Sequence, residues 1–254
     1  MLAKPEPARP ERDAINPTGG FEMRLRKRLQ KAMTNYDDPR SLGSRFRVRR
    51  IAPLKAIIEK VYVANGKVRI IDLGGRANYW ELIGDDFLKK NNAELTIVNL
   101  PAVTPPEREQ RHHHISGDAC HLPHLKSNSF DIVHSNSVIE HVGDWAKMKQ
   151  FANEARRLGA YHFIQTPYYW FPIEPHYMSL GHHWLPWPAR ARRHYRRKGN
   201  KSPVSADQAM QRLSSEPFLL DIKTFSSLFP DSAIVKERVV GILIKSLIAI
   251  RGPD

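Results

Sequence analysis

The sequence predicts an α/β protein with a doubly wound, mainly parallel sheet that ends in an antiparallel hairpin. Short β-branched runs alternate with amphipathic helical segments, which is typical of parallel strands joined by helical crossovers. The first run, at residues 68–72, leads into a glycine pair where a doubly wound sheet would bind a ligand. The last two runs, 233–240 and 244–250, are joined across Gly241. They are too close for a parallel crossover and must be antiparallel.

The other elements follow from the same periodicity. An apolar residue at every third or fourth position indicates a helix, and a short continuous apolar run indicates a buried strand. In chain order the sequence predicts a helix at 51–63, the strand at 68–72, a helix at 79–90, a strand at 94–100, an extended segment at 115–119, a strand at 130–135, a helix at 144–158, a strand at 161–166, a helix at 221–228 and the closing hairpin.

Composition is that of an ordinary globular protein. The 254 residues are 41% apolar and 26% charged. The single cysteine, Cys120, excludes an intramolecular disulfide and fits a reducing compartment. No apolar run reaches the roughly 18 residues of a membrane span, and the first residues lack the apolar core of a signal peptide. We therefore expect a cytoplasmic protein.

The formal net charge of +14 is unevenly distributed. Residues 1–50 contain 13 Lys/Arg and 6 Asp/Glu, and residues 190–201 contain 7 Lys/Arg and no acid. Such clusters favour an anionic partner, which could be an acidic small molecule, a membrane surface or nucleic acid. A solvated basic face is the alternative. A basic amphipathic helix predicted at 21–33 could lie on anionic lipid or cap the domain.

These patterns divide the chain into three parts. Residues 1–20 are polar and proline-rich, so we predict a disordered tail. Residues 21–50 form a basic helical extension, and residues 51–254 form the main domain. Within that domain, residues 167–201 combine aromatic and basic side chains without clear periodicity. A segment of this length is usually functional, and we predict that it contacts the substrate.

Four segments carry a resemblance to a known family. They are residues 70–75, 117–119, 130–142 and 241–249. Together they resemble the class I S-adenosylmethionine-dependent methyltransferases. The segment 130–142 and a second segment, Phe171 to His176, are similar to the type 11 branch of that family, which occurs among bacterial small-molecule enzymes. The resemblance implies a seven-stranded Rossmann-like sheet with an antiparallel last strand, and S-adenosylmethionine as the cofactor.

The resemblance also implies a methyl-donor site formed by residues that follow four strands. These are Asp72, Gly74 and Gly75 beside the methionine part, Asn99 and Leu100 at the end of the second strand near the ribose, Asp118 and Ala119 beside the adenine, and Ser135 and Asn136 beside the methionine part. Two positions depart from the family pattern. Asn99 replaces the usual carboxylate, and Arg76 replaces a further glycine.

Methyl transfer to an alcohol needs a group that accepts the hydroxyl proton, because the sulfonium donor is already activated. His141, and His176 together with Glu174, are the candidate catalytic residues, since imidazole accepts protons near neutral pH. His141 could instead pack at the start of a helix, and Glu174 and His176 could instead shape the loop. No spacing matches a known ligand set, so we predict no metal. In the His112–His114 run, consecutive side chains cannot all face one ion.

Aromatic residues beside a basic run favour a bulky, anionic acceptor. The leading hypothesis is O-methylation of a sugar, glycolipid or other small-molecule hydroxyl. RNA methylation is the alternative that the net charge suggests, although no appended RNA-binding motif is visible. A further alternative is a non-catalytic scaffold that binds an anionic surface and keeps a degenerate cofactor site. The sequence does not predict the oligomeric state.

Overall fold

Seven strands form one sheet in the structure, a computed structural model that describes residues 42–101, 112–176, 179–195, 205–239 and 241–252. The spatial order of the strands is β3-β2-β1-β4-β5-β9-β8. Strands β1 to β5 are parallel, whereas β9 runs antiparallel to both β5 and β8. A separate two-stranded hairpin pairs β6 with β7. The strands are β1 (Val68–Leu73), β2 (Ala93–Asn99), β3 (His113–Ser116), β4 (Phe130–Asn136), β5 (Gly159–Pro167), β6 (Ile173–Glu174), β7 (Ser179–Leu180), β8 (Ala233–Val239) and β9 (Leu243–Arg251).

This architecture confirms the predicted fold class. The strand order reverses direction beside β1, between β2 and β4, and such a reversal creates the crevice in which doubly wound sheets bind ligands. The helices are α1 (Leu42–Asn65), α2 (Ala77–Ile83), α3 (Asp85–Lys90), α4 (Trp145–Leu158), α5 (Trp187–Tyr195), α6 (Ala206–Ser214) and α7 (Ile222–Leu228), with short 3-10 turns at Ile139–His141 and His182–Trp184.

Two apolar clusters cover the two faces of the sheet. On one face, Leu54 and Ile58 of α1 and Trp80 of α2 pack with strand residues such as Ile70. On the other face, residues of α4 and α7 pack against the alternate residues of the same strands, for example Ile71. The central strands are therefore buried on both sides, which explains their continuous apolar sequences.

Local structure differs from the sequence prediction at several elements, since α1 begins at Leu42 rather than at 51, and α5, α6 and the β6–β7 hairpin were not predicted. The single helix expected at 79–90 is divided into α2 and α3, because Gly84 between them has a φ of 93° and interrupts the helical backbone. The third strand spans His113–Ser116 and so begins before the extended segment expected at 115–119. The predicted tail at 1–20 and helix at 21–33 lie outside the described residues.

Among the helices of the described ranges, none combines the length and apolarity that a membrane span requires.

Candidate active site

The glycine loop, residues 73–76, connects β1 to α2 at the carboxyl edge of the sheet. Gly74 has a φ of 72°, and a Cβ on it would lie 2.7 Å from Cγ1 of Val138. A Cβ on Gly75 would lie 1.7 Å from Oδ2 of Asp72. Both positions therefore exclude a side chain, Gly74 by its conformation and both by close packing. Neither glycine has a side chain of its own that could obstruct a cofactor approaching the loop.

The carboxylate of Asp72 packs directly against Gly75 of this loop. Asp72 is fully buried, and its Oδ2 accepts a hydrogen bond of 2.7 Å from Nε1 of Trp80. Its Oδ1 lies 2.7 Å from Nδ1 of His134, the neighbouring residue on β4. Both carboxylate oxygens thus have protein partners. The geometry favours a role for Asp72 in shaping the glycine loop rather than in direct contact with a ligand.

The two departures from the family pattern have a structural explanation. The amide nitrogen of Asn99, at the end of β2, donates a hydrogen bond of 3.0 Å to the carbonyl oxygen of Gly75. A carboxylate could not make this bond, and the amide oxygen of Asn99 remains an acceptor for a hydroxyl. Arg76 is exposed at the start of α2, so its side chain does not fill the glycine loop.

Asp118 and Ala119 lie in the turn after β3. Oδ1 of Asp118 accepts from the backbone nitrogen of Cys120 at 2.9 Å, and its Oδ2 lies 3.3 Å from Nζ of Lys147. Partial burial acts to raise the pKa of Asp118, but these hydrogen bonds outweigh it and lower the pKa below its ordinary value. The carboxylate is therefore a charged acceptor at neutral pH. Leu100 is 56% exposed at the end of β2 and leaves an apolar surface at the same edge.

Ser135 and Asn136 end β4 beside the glycine loop. Ser135 is buried, and its hydroxyl donates to the carbonyl oxygen of Leu73 at 2.9 Å, which ties the two strand ends together. The Oδ1 of Asn136 accepts from Nη1 of Arg50 at 3.2 Å. Arg50 also forms a two-pronged ion pair with Glu237 of β8. This network anchors α1 at the carboxyl end of β4.

The three predicted catalytic residues lie together. Nε2 of His141, in the 3-10 turn after β4, is 3.0 Å from Nε2 of His176. Nδ1 of His176 is 2.6 Å from Oε1 of Glu174 on β6. The β6–β7 hairpin thus brings Glu174 and His176 against the segment that follows β4. Both histidine residues are exposed at this point, whereas Glu174 is buried.

Glu140 belongs to the same group, which we call the histidine cluster (Glu140, His141, Glu174 and His176). Its side chain is almost completely buried, and its Oε2 accepts from the hydroxyl of Thr166 on β5 at 3.0 Å. Its Oε1 has no hydrogen-bond partner among the described residues. One ligand atom from each of Glu140, His141 and His176 lies within 4.8 Å of the others.

Electrostatics differ among the members of the histidine cluster. Burial raises the pKa of Glu140 to about 7. Burial and the neighbouring His176 lower the pKa of His141. Burial also acts to lower the pKa of His176, but the hydrogen bond and charge of Glu174 outweigh it and raise that pKa. Between the two imidazoles, His176 is thus the one that more readily carries the positive charge.

Aromatic side chains form a wall in the same segment of the chain. Tyr169 and Trp170 meet edge to face, with ring centroids 4.9 Å apart, and Trp170 is 6.2 Å from Trp184. Nε1 of Trp184 donates to the carbonyl oxygen of Tyr169 at 3.0 Å, which fixes that ring. Trp170 and Trp184 are 58% and 41% exposed. This aromatic wall (Tyr169, Trp170 and Trp184) presents apolar surface beside polar groups, as carbohydrate and ring-binding surfaces do.

Sequence reasoning missed three residues of this region. Glu140 stands directly before His141, but nothing in its local pattern distinguished it from a surface acid. Trp80 and His134, which hold Asp72, were interpreted only as parts of a helix and a strand. Their polar atoms could be assigned partners only after β1 and β4 were placed side by side.

Comparison with known proteins shows a likeness to methyltransferases over part of the chain. Residues 87–160 match the model of a methyltransferase domain family. The match includes β2, β4, α4 and the segment that carries Glu140 and His141. No curated protein matches the chain in sequence.

Three of the solved structures to which the chain is similar are named as methyltransferases that act on carbon, on nitrogen and on oxygen. The CurJ carbon methyltransferase matches with a TM-score of 0.50 and 11% identity, over 93% of this chain and 71% of that one. The 1,6-didemethyltoxoflavin N1-methyltransferase of Burkholderia thailandensis, solved with S-adenosylhomocysteine, matches with a TM-score of 0.45 and 12% identity. The match covers 100% of this chain and 94% of that one. A candidate O-methyltransferase of Nostoc punctiforme matches at 0.44 and 15%, over 79% of this chain and 56% of its own. This chain therefore spans little more than half of the Nostoc protein.

By its seven-stranded sheet and the match at residues 87–160, the chain is similar to class I S-adenosylmethionine-dependent methyltransferases. The motifs at 70–75 and 130–142, on which the expectation of S-adenosylmethionine rests, include the ends of β1 and β4.

Proposed function

We propose that this protein is a methyltransferase that transfers the methyl group of S-adenosylmethionine to a hydroxyl of a sugar, glycolipid or other small molecule. The observation that carries the proposal is the contact between His141 and His176, at 3.0 Å, with Glu174 behind them. These groups lie beyond the carboxyl ends of β4 and β5, at the same edge of the sheet as the glycine loop. An acceptor held there would lie between the donor and a group able to activate it.

The chemistry of a hydroxyl acceptor requires such a group. The hydroxyl loses its proton, its oxygen forms a bond to the methyl carbon, and the carbon–sulfur bond breaks with its electron pair left on sulfur. The sulfonium supplies the driving force, but a neutral hydroxyl is a weak nucleophile. The histidine cluster can assist either by taking the proton or by holding a cation that makes the hydroxyl more acidic. Both routes require the same side chains.

The donor side of the proposal rests on the geometry around the glycine loop. Asn99 holds Gly75 while keeping an oxygen for a ribose hydroxyl, and Asp118 offers a charged acceptor for the adenine amine. The exposed Leu100 and the partly buried Ala119 would flank the adenine. These observations argue against the hypothesis that Asn99 and Arg76 mark a degenerate site.

The acceptor side rests on the aromatic wall. The exposed rings of Trp170 and Trp184 suit the apolar face of a sugar or a planar ring. The α5 helix that follows carries Arg190, Arg192 and Arg193, and Arg190 pairs with Glu216. The other two arginines leave positive charge beside the wall. This arrangement favours an acceptor that combines a ring with negative charge.

The test measures donor binding first and transfer second. Calorimetry with S-adenosylhomocysteine should show one site per chain. The enzyme with S-adenosylmethionine is then incubated with sugars, glycolipids, phenols, amines and a short RNA, and the methylated product is located by mass spectrometry and NMR. We expect an O-methyl product. Methylation confined to nitrogen, carbon or RNA would overturn the proposal.

A pair of histidine variants provides the internal control. His176→Asn should lower turnover about tenfold or more, because activation of the hydroxyl is lost, and should leave the affinity for S-adenosylhomocysteine unchanged. His124→Asn changes an exposed histidine outside the histidine cluster and should leave both quantities at the wild-type level. Equal turnover in the two variants contradicts a role for the histidine cluster.

A further inference from the structure

We propose that Glu140, His141 and His176 bind one divalent first-row transition metal ion, which holds and acidifies the acceptor hydroxyl. The sequence analysis predicted no metal, because these residues are scattered over 37 positions and match no ligand spacing. The structure brings one ligand atom from each within 4.8 Å of the others. The catalytic part of this inference rests on the proposed function, whereas the binding part does not.

The distance between the two imidazoles fits shared coordination. Two nitrogens that each lie about 2.1 Å from one ion and are 3.0 Å apart subtend about 90° at that ion. This is the angle between adjacent positions of an octahedral ion. Two histidines and one carboxylate on adjacent positions form a common donor set for divalent first-row metals.

The buried carboxylate of Glu140 favours a metal ion over a simple hydrogen bond between the two imidazoles. An N–H···N bond from one imidazole to the other also fits 3.0 Å, but it leaves Oε1 of Glu140 buried without a partner. A buried acceptor without a partner destabilises the folded state, and more so when it is charged. A cation bound between the three groups satisfies that oxygen and both ring nitrogens at once.

The surrounding groups orient two of the three ligands. Nδ1 of His176 is 2.6 Å from the carboxylate of Glu174, and the second oxygen of Glu140 accepts from the hydroxyl of Thr166 at 3.0 Å. A carboxylate behind a metal-binding imidazole is the usual partner that fixes the ring and increases its basicity. Glu174 is thus assigned as a positioning residue and not as a ligand.

The exposed side of the site leaves room for substrate. His141 and His176 are both exposed, while Glu140 closes the inner side. Three protein ligands leave coordination positions open, as catalytic metal sites do. A hydroxyl bound at one of them gives its proton to solvent more readily, and its oxygen then attacks the methyl carbon as the carbon–sulfur bond breaks. The ion acts as a Lewis acid and undergoes no redox change.

The test uses Co²⁺ with the full chain after treatment with EDTA and dialysis. Calorimetry and the visible absorption of Co²⁺ should show one ion per chain. Glu140→Gln and His176→Asn should each weaken Co²⁺ binding at least about tenfold, and Glu174→Gln about 10–100-fold through the orientation of His176. His124→Asn should bind Co²⁺ as the wild type does. Circular dichroism verifies that each variant is folded, and the exposed His176 position keeps the test valid if Glu140→Gln does not fold.

The outcomes separate this inference from the proposed function. Absence of Co²⁺ binding, or equal affinity in wild type, Glu140→Gln and His176→Asn, overturns the metal site. Binding of S-adenosylhomocysteine in EDTA should be unchanged, because the donor site uses other residues. If S-adenosylhomocysteine binds and Co²⁺ does not, only the metal inference fails. If Co²⁺ binds and S-adenosylhomocysteine does not, the metal site stands and the proposed function fails.

Discussion

The side-chain amide of Asn99 holds the carbonyl oxygen of Gly75 at 3.0 Å, so that the end of β2 is tied to the glycine loop after β1. Families of this fold usually place an acid at this position to bind the ribose. Compared with a carboxylate, the amide of Asn99 has no negative charge but has an N–H donor. That donor fixes the backbone of Gly75 in the glycine loop. The same position would therefore serve the loop and, under the proposed function, the cofactor.

The hydrogen bond from Asn99 to Gly75 predicts the effect of replacing Asn99 by aspartate. Asn99→Asp should weaken binding of S-adenosylhomocysteine by about tenfold, or about 1.4 kcal/mol, because two oxygens would then face each other at the loop. Asn92→Asp is the matched control, since it removes an amide donor to the carbonyl oxygen of Gly66 at the opposite edge of the sheet. Calorimetry measures both affinities. Tighter binding by Asn99→Asp would show that the ribose contact outweighs the loop contact.

A second prediction concerns the clearance beneath the glycine loop. In Gly75→Ala the new methyl group would collide with Oδ2 of Asp72, since a Cβ there would lie only 1.7 Å away. We expect a loss of about 1–3 kcal/mol in the free energy of unfolding and at least tenfold weaker binding of S-adenosylhomocysteine. Gly66→Ala imposes only left-handed strain, with no atom within 4 Å, and should cost about 1–2 kcal/mol without affecting binding. Wild-type affinity in Gly75→Ala contradicts the packing argument.

The buried partner of Asp72 leads to a third prediction. Trp80→Phe keeps most of the ring but removes the N–H that Oδ2 of Asp72 accepts at 2.7 Å. A buried oxygen left without its donor should cost about 1–3 kcal/mol, measured by urea unfolding. Trp145→Phe, at a position that is 37% exposed, should change stability by less than about 0.5 kcal/mol. Similar effects of the two substitutions would mean that the hydrogen bond contributes little.

The fourth prediction concerns acid stability. Burial acts to raise the pKa of Asp231, but hydrogen bonds from Arg251 and Arg156 outweigh it and lower the pKa to about 2. Because the folded-state pKa lies below the unfolded one, this carboxylate stabilises the fold above pH about 4, and the contribution is lost as pH falls toward about 2.

Thermal unfolding between pH 5 and pH 2 tests this interpretation, since the interval of roughly three pH units contains both pKa values. The wild type should lose more stability over this interval than Asp231→Asn, which lacks the titrating group. Asp207→Asn removes an exposed carboxylate on α6 and should follow the wild-type curve. If the unfolding temperatures of wild type and Asp231→Asn fall equally with pH, Asp231 does not contribute to the acid sensitivity.

The sequence by itself determined the five parallel strands, the final antiparallel hairpin and the glycine loop. These features depend on residues close together in the chain, such as the β-branched run before Gly74 and the short link at Gly241. The single helix expected at 79–90 was predicted wrongly. The apolar pattern continues across Gly84, but the positive φ of Gly84 ends the helical backbone there. Periodicity records which face is buried and is insensitive to a single conformational break.

Only the tertiary structure decided what the buried polar groups do. Asp72 meets His134 and Trp80 because β1 and β4 are neighbours in the sheet, although they are far apart in the chain. Glu140 and His141 meet His176 because the β6–β7 hairpin folds back over the ends of β4 and β5. Such contacts depend on long-range pairing, and no local spacing encodes them. The sequence therefore favoured S-adenosylmethionine as the methyl donor, and the fold assembled the group of side chains that we propose activates the acceptor.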